Sequence, residues 1–112
     1  MTVQTLSEAL GLTVFHLADG QAEVTDGYIG DLLSWVMGRA PDGCVWMTIM
    51  SNANVAAVAS LSGAACVLLT EGVTPDPDLL ERAKSHSINL LGCQDGSYQA
   101  ALRVAAALGT AP

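Results

Sequence analysis

Basic residues are scarce in this sequence. Arg39, Arg82, Lys84 and Arg103 are the only four, they oppose eleven acids, and the formal net charge is −7. Nucleic-acid affinity comes mostly from neutralising phosphates, so a chain this poor in cations is not expected to bind nucleic acid. Anionic membranes are disfavoured for the same reason. Cysteine is almost as sparse: Cys44, Cys66 and Cys93 are an odd number, widely spaced and without a C-x-x-C pair. Neither a zinc ribbon nor a dithiol redox site is visible, and reduced thiols point to a reducing, cytoplasmic compartment. Aromatic residues number five (Phe15, Tyr28, Trp35, Trp46 and Tyr98), so the core must be aliphatic. The longest apolar stretch, from Asn54 to Thr70, is broken by Ser60, Ser62 and Gly63, and falls short of a membrane span. The opening Met1–Thr5 has neither a basic segment nor an apolar run, so no signal peptide is expected.

Catalytic patterns are missing too. There is no G-x-x-x-x-G-K-[ST], no G-x-G-x-x-G and no G-x-S-x-G, which removes the phosphate loop, the dinucleotide fingerprint and the nucleophile elbow. His16 and His86 stand alone, so no metal site is expected, and no cofactor. His86, among charged residues near a helix end, reads as a solvated histidine rather than a catalytic one.

What is present is a regular α/β pattern in 112 residues, a length suited to one domain (1–112) with a loose tail at 109–112. Thr5–Leu10 reads as a short helix closed by Gly11, with Thr5 or Ser7 available as its cap. Strands are expected at Leu12–Leu17 and Glu23–Ile29. A helix Leu32–Met37 follows, capped by Asp31 and stopped by Gly38 and Pro41. From Cys44 the chain alternates: strand Cys44–Met50, helix Asn54–Leu61, strand Ala65–Leu69, a helix begun by Pro75–Asp78, strand Ile88–Leu91 and helix Ser97–Leu108. In the last helix Tyr98, Ala101, Leu102, Ala105 and Leu108 share one face and are expected in the core. Short links between alternating strands and helices imply parallel strands with right-handed crossovers. Continuous hydrophobicity along those strands implies cover on both faces. The fold class expected is α/β, a three-layer α/β/α sandwich with a small, mainly parallel sheet.

In such a sheet ligands collect beyond the carboxyl ends of the strands. Four ends are polar here, and Gly30, Asp31, Ser51, Asn52, Glu71, Gly72, Gln94, Asp95 and Ser97 are the candidate ligand-binding residues. Thr70, Cys93 and Gly96 lie in the same loops. Small polar residues also serve such loops simply as turns and caps. Cys66 reads as a core residue, whereas Cys93 precedes a helix N-terminus, a setting that lowers a thiol pKa. Tyr28 and Trp35-Val36-Met37 offer a binding surface, although an aromatic and Met cluster of this kind is more often simply packed inside. The helix Asn54–Leu61 is small or apolar all round, which calls for cover on several sides and suggests a homodimer.

The segments Tyr28-Ile29-Gly30-Asp31-Leu32-Leu33-Ser34-Trp35-Val36-Met37-Gly38, Trp46-Met47-Thr48-Ile49 and Asn54-Val55-Ala56-Ala57-Val58-Ala59 resemble stand-alone proteins of the DRTGG-domain family. That family is similar to the N-terminal domain of HPr kinase/phosphorylase and, more distantly, of Mur ligases. The resemblance runs from about Thr5 to Leu108, although the Asp-Arg-Thr-Gly-Gly run that names the family is absent. It implies a regulatory or assembly module, as found beside CBS domains in pyrophosphatases and in some phosphate acetyltransferases. It does not imply kinase activity, whose phosphate loop lies in a separate domain. The leading expectation is a non-catalytic regulatory domain, probing a small ligand such as a nucleotide, or a partner protein, as a homodimer. The alternatives are a structural accessory subunit of a larger redox or signalling complex, and an enzyme built on Asp31, Asp95 or Cys93.

Overall fold

The computed structural model describes residues 1–110. Its elements are α1 (Val3–Leu10), β1 (Thr13–His16), β2 (Asp26–Ile29), α2 (Leu33–Arg39), β3 (Cys44–Thr48), α3 (Asn54–Ser62), β4 (Cys66–Leu69), α4 (Pro77–Ser85), β5 (Leu90–Gly92) and α5 (Ser97–Leu108). One sheet runs in the order β1-β5-β4-β3-β2. The pairs β2–β3, β3–β4 and β4–β5 are parallel, and β1 closes the far side antiparallel to β5. The expected sandwich is therefore present.

Every residue of β3, β4 and β5 is buried, and pleating sends alternate side chains to opposite layers. Cys44 and Trp46 of β3, Val67 and Leu69 of β4 and Leu90 of β5 meet Val36, Val55, Ala59, Leu79 and Ala83 from α2, α3 and α4. Val45, Met47, Cys66, Leu68 and Leu91 face the other way, onto Val3, Leu6, Ala100 and Val104 of α1 and α5. Three successive crossovers of one hand place α2, α3 and α4 together on the first face. α3 is thus covered by the sheet and by α2 and α4 at Val55, Ala56, Val58 and Ala59, while Leu61 near its end stays exposed.

Several local expectations shift. Thr2, not Thr5 or Ser7, caps α1: its Oγ1 accepts from the Thr5 N–H at 3.1 Å, because the helix begins two residues earlier, at Val3. α2 passes through Gly38 and ends at Ala40, the residue that Pro41 pushes out of helical conformation. In α5 the buried residues are Ala100 and Val104, while Tyr98 is 74% and Leu102 49% exposed. The buried face is therefore rotated from the stripe expected, keeping Ala101 and Leu108 against the core and leaving Tyr98 and Leu102 outside. Trp35, at 54%, and Met37 are also exposed, although Val36 between them is fully buried. Gly109 ends α5 in the left-handed conformation and the Thr110 N–H donates to the Ala105 carbonyl. The rest of the expected tail, 111–112, lies outside the described residues.

Asn89 joins three segments that are far apart in sequence. Its Oδ1 accepts from the backbone N–H groups of Ala18 (2.8 Å) and Asp19 (2.9 Å), and its Nδ2 donates to the carbonyls of Asp19 (2.8 Å) and Ala65 (3.0 Å). Asn89 is itself buried, and each part-buried backbone group it serves would otherwise lose its partner. Asn89→Ala should cost about 3 kcal/mol and lower the melting temperature by roughly 10 °C or more, read by calorimetry. Asn89→Asp should recover little, because a carboxylate would then face the Asp19 and Ala65 carbonyls.

Candidate functional site at the carboxyl edge of the sheet

Because β2, β3, β4 and β5 run parallel, the four polar loops that follow them lie along one edge of the sheet. β3 and β4 each close on a buried threonine, Thr48 and Thr70, that serves as a polar anchor. After β2, Asp31 sends its carboxylate across to β3, where Oδ1 accepts from Thr48 Oγ1 (2.8 Å) and from the Ile49 N–H (3.0 Å). Thr48 is fully buried and in turn accepts from the Met50 N–H (3.2 Å). The expected role of Asp31 as the cap of α2 is thus corrected. That helix has Leu32 at its cap and no side-chain cap bond, because Asp31 is occupied by the β3 end. The Gly30 carbonyl accepts from Trp46 Nε1 at 2.8 Å, which fastens the same loop from below.

After β3, Ser51 Oγ donates to Asp76 Oδ1 (3.1 Å), and the Asp76 N–H returns a bond to the Ser51 carbonyl (3.0 Å). Asn52 Oδ1 accepts from the Asn54 N–H (2.9 Å) at the start of α3. After β4, fully buried Thr70 shares a hydrogen bond with Ser97 (2.8 Å) at the first position of α5. Glu71 and Gly72 both adopt positive φ, +61° and +74°. That tight turn directs the Glu71 N–H to the Asp95 carbonyl (2.8 Å) and the Gly72 N–H to the Cys93 carbonyl (2.9 Å). Gly72 suits the turn because its positive φ is one that side-chain-bearing residues rarely adopt. Glu71 Oε2 accepts from the Ser97 N–H (3.4 Å), favourably placed at the positive end of α5.

All nine candidate residues lie in these loops, but they do not all face outward. Asp95 bonds Arg103 Nη1 at 2.6 Å, and Arg103 Nη2 reaches the Leu10 carbonyl at 2.6 Å, so this acid anchors α5 to the end of α1. Asp31 is spent as described. Gln94 and Glu71 remain exposed, and Ser51, Asn52 and Ser97 are half-buried. Sequence reasoning placed Thr70 in its loop without making it a candidate, and missed Thr48 and Asp76. The two threonines could have been found as the single hydroxyls that close otherwise apolar strands. Asp76 could not, because its bond to Ser51 spans 25 positions.

The chemistry of this edge is mild. Among the described residues no group of three His, Cys, Asp or Glu side chains is arranged to hold a metal. No buried polar side-chain atom among them lacks a hydrogen-bond partner. Burial pushes the Cys93 thiol above its ordinary pKa, against the lowering expected from the helix end, and its Sγ donates to the Asp95 carbonyl (3.7 Å). Burial also drives Cys44 to about 11 and Cys66 to about 12. A cavity of about 360 Å³ lies elsewhere, between β2 and α5, lined by Gly27, Ile29, Met47, Ala101, Val104 and Ala105 among others.

A mainly parallel sheet covered on both faces, with its polar loops gathered at one edge, defines a small three-layer α/β domain. A family model described as the DRTGG domain matches residues 34–107, well over half of the chain, and the chain belongs to that family. Its fold is similar to the CBS and DRTGG domains of the regulatory region of Clostridium perfringens pyrophosphatase, solved in complex with its activator diadenosine tetraphosphate. The TM-score is 0.71 at 13% identity, over 99% of this chain and 47% of that one, so this chain spans about half its length. No curated protein matches the sequence. Among the described residues no helix is long and apolar enough to cross a membrane.

The thiols give a direct check. An ordinary thiol ionises near 9.0, whereas buried Cys44 and Cys66 resist to about 11 and 12. Between those values the unfolded chain holds fewer protons than the folded one, so stability falls as pH rises, by up to about 1.4 kcal/mol per pH unit for each thiol. Melting curves should decline above about pH 9, and Cys66→Ala should flatten part of that decline. On the native protein a thiol reagent should label half-buried Cys93 first and slowly, and the other two only after unfolding.

Proposed function

We propose that this chain is a non-catalytic regulatory module that binds a small polar ligand across the carboxyl edge of its sheet and acts on a partner protein as a homodimer. The observation that carries this reading is the convergence of four polar loops on one edge, in a chain of the DRTGG family. Glu71, Gln94, Ser51, Asn52 and Ser97 are the residues placed to touch a ligand, with Gly30 and Gly72 giving backbone access. Asp31 and Asp95 hold the loops in position from behind. The half-satisfied character of the rim favours a second reading, a purely structural subunit of a larger redox or signalling assembly. Thr70 with Ser97, Glu71 with Ser97 and Ser51 with Asp76 already bond one another.

The activator named for the Clostridium perfringens region makes adenosine compounds the first ligands to try. The charge of the rim selects among them. Asp31, Glu71 and Asp76 are acids, and the nearby Arg103 is held by Asp95, so a nucleoside or monophosphate fits better than a polyphosphate. Thermal shift with adenosine, AMP and diadenosine tetraphosphate should show stabilisation by the first two, about 2.7 kcal/mol at a hundredfold excess over the dissociation constant. Ser97→Ala and Gln94→Ala should reduce it, and Glu81→Ala on the outer face of α4 should not. No shift with any of the three supports the structural reading.

A second copy would cover the large hydrophobics left bare on α2 and α3, Trp35 and Leu61 among them, the latter 73% exposed. Arg39 stacks on the Trp35 ring at 3.8 Å from its centroid, which holds that ring flat against the surface. Sedimentation at high micromolar concentration should return a dimer, and Trp35→Glu should return a monomer. A monomeric parent chain rejects this part of the reading.

A further inference from the structure

The stripe on α5 that sequence periodicity assigned to the core, and the cavity beside it, are not used by the carboxyl-edge site. Around the helix, Val104 joins the core and, with Ala101 and Ala105, lines the cavity, and exposed Tyr98 and Leu102 lie on the same side of α5 as those alanines. Opposite them stands β2, the last strand of the sheet order. An edge strand presents unpaired backbone donors and acceptors along its outer side. Ile29 of β2 is 47% exposed beside the cavity, and Gly27 contributes no side chain to its floor, where a Cβ would lie 3.3 Å from Met47 Cε.

We propose that the free edge of β2 and the groove between β2 and α5 accept an extended segment of a partner protein, apolar along its length and carrying lysine or arginine at its ends, which joins the sheet as a sixth strand. Edge strands with an adjoining apolar groove are recognised in this way, with backbone bonds giving affinity and side-chain pockets giving selectivity. The charges choose the occupant. Exposed Asp26 opens β2, exposed Asp31 lies two residues past its end with one carboxylate oxygen held by Thr48 and Ile49, and the whole chain carries −7. The bases of the two flanking helices are engaged, Arg39 on Trp35 and Arg103 with Asp95. A second copy related by a two-fold axis would pair β2 antiparallel with itself, bringing Asp26 opposite Ile29 of the other copy and close to its Asp31. Like charges so placed oppose the pairing, while a base at each end of an incoming strand satisfies both acids.

The probe is a short capped peptide alternating valine and threonine between terminal lysines, compared with the same peptide between terminal glutamates. Fluorescence anisotropy at low salt should show the lysine peptide binding about tenfold more tightly, the sum of two exposed charge pairs. Asp26→Asn should remove part of that difference, since asparagine keeps the bond that Asp26 Oδ1 accepts from the Gly27 N–H. Ile29→Lys should abolish binding, with Leu102→Lys as the second variant should the first fail to fold, and Leu61→Lys on α3 should leave it unchanged. Amide shifts in NMR should centre on Gly27 and Ile29. Equal affinity for the two peptides, no binding of either, or shifts centred on the Glu71 and Gln94 loops would each overturn the proposal. A dimer that Ile29→Lys splits would overturn it as well, by showing a second copy on this edge. Ligand binding at the carboxyl edge does not depend on Ile29, so the two sites fail or succeed separately.

Discussion

The constraint on which this structure depends is that its parallel strands must be covered on both faces. Parallel strands need crossovers, the crossovers supply helices, and the helices bury the strands. In β3 and β4 the result is complete: Trp46, Val67 and Leu69 lie under α2, α3 and α4, and Val45, Met47, Cys66 and Leu68 lie under α1 and α5. Two helices cover the second face where three cover the first, and α5 must serve both β2 and β3. The cavity follows from that geometry. The second layer runs out at the β2 edge, and small residues on α5 leave a gap instead of filling it.

The same constraint explains the carboxyl edge. When apolar strands stop, their last backbone groups and the hydroxyls of Thr48 and Thr70 still lie at depth, and buried polar groups require partners. Asp31, Ser97 and the Glu71-Gly72 turn provide them. The loops are therefore stiffened by bonds between elements distant in sequence, before any ligand is considered. A rigid rim of this sort suits a site that reports occupancy, since a ligand meets positioned groups and does not have to order them.

At 13% identity the similarity to the Clostridium perfringens domains is one of fold. What survives at that distance is a pattern of apolar strands and glycine-closed helices, and many residue combinations satisfy it. The polar edge and the β2 groove, by contrast, depend on individual side chains.

Much of the architecture was legible in the sequence, and the limits of the site were set by where it was not. The apolar runs around Cys44, Cys66 and Leu90, and the glycines closing α1, α3 and α5, act through the backbone of a few neighbouring residues. Position in the chain was enough to read them, and the helix Ser97–Leu108 was legible to its ends. The candidate loops were equally legible, because parallel topology alone brings strand ends to one edge. Only the tertiary structure decided that Asp31 bonds β3 instead of capping α2, and that Asp95 turns away to Arg103. It also decided that α5 buries Ala100 and Val104 in place of Tyr98 and Leu102. α5 is rich in alanine on every side, so periodicity offered two acceptable faces. The choice between them was made by the sheet and by α1, whose contacting residues lie tens of positions away. Local preferences fix an element; which of its faces is buried, and which polar group meets which, is settled by contacts that no short window of sequence contains.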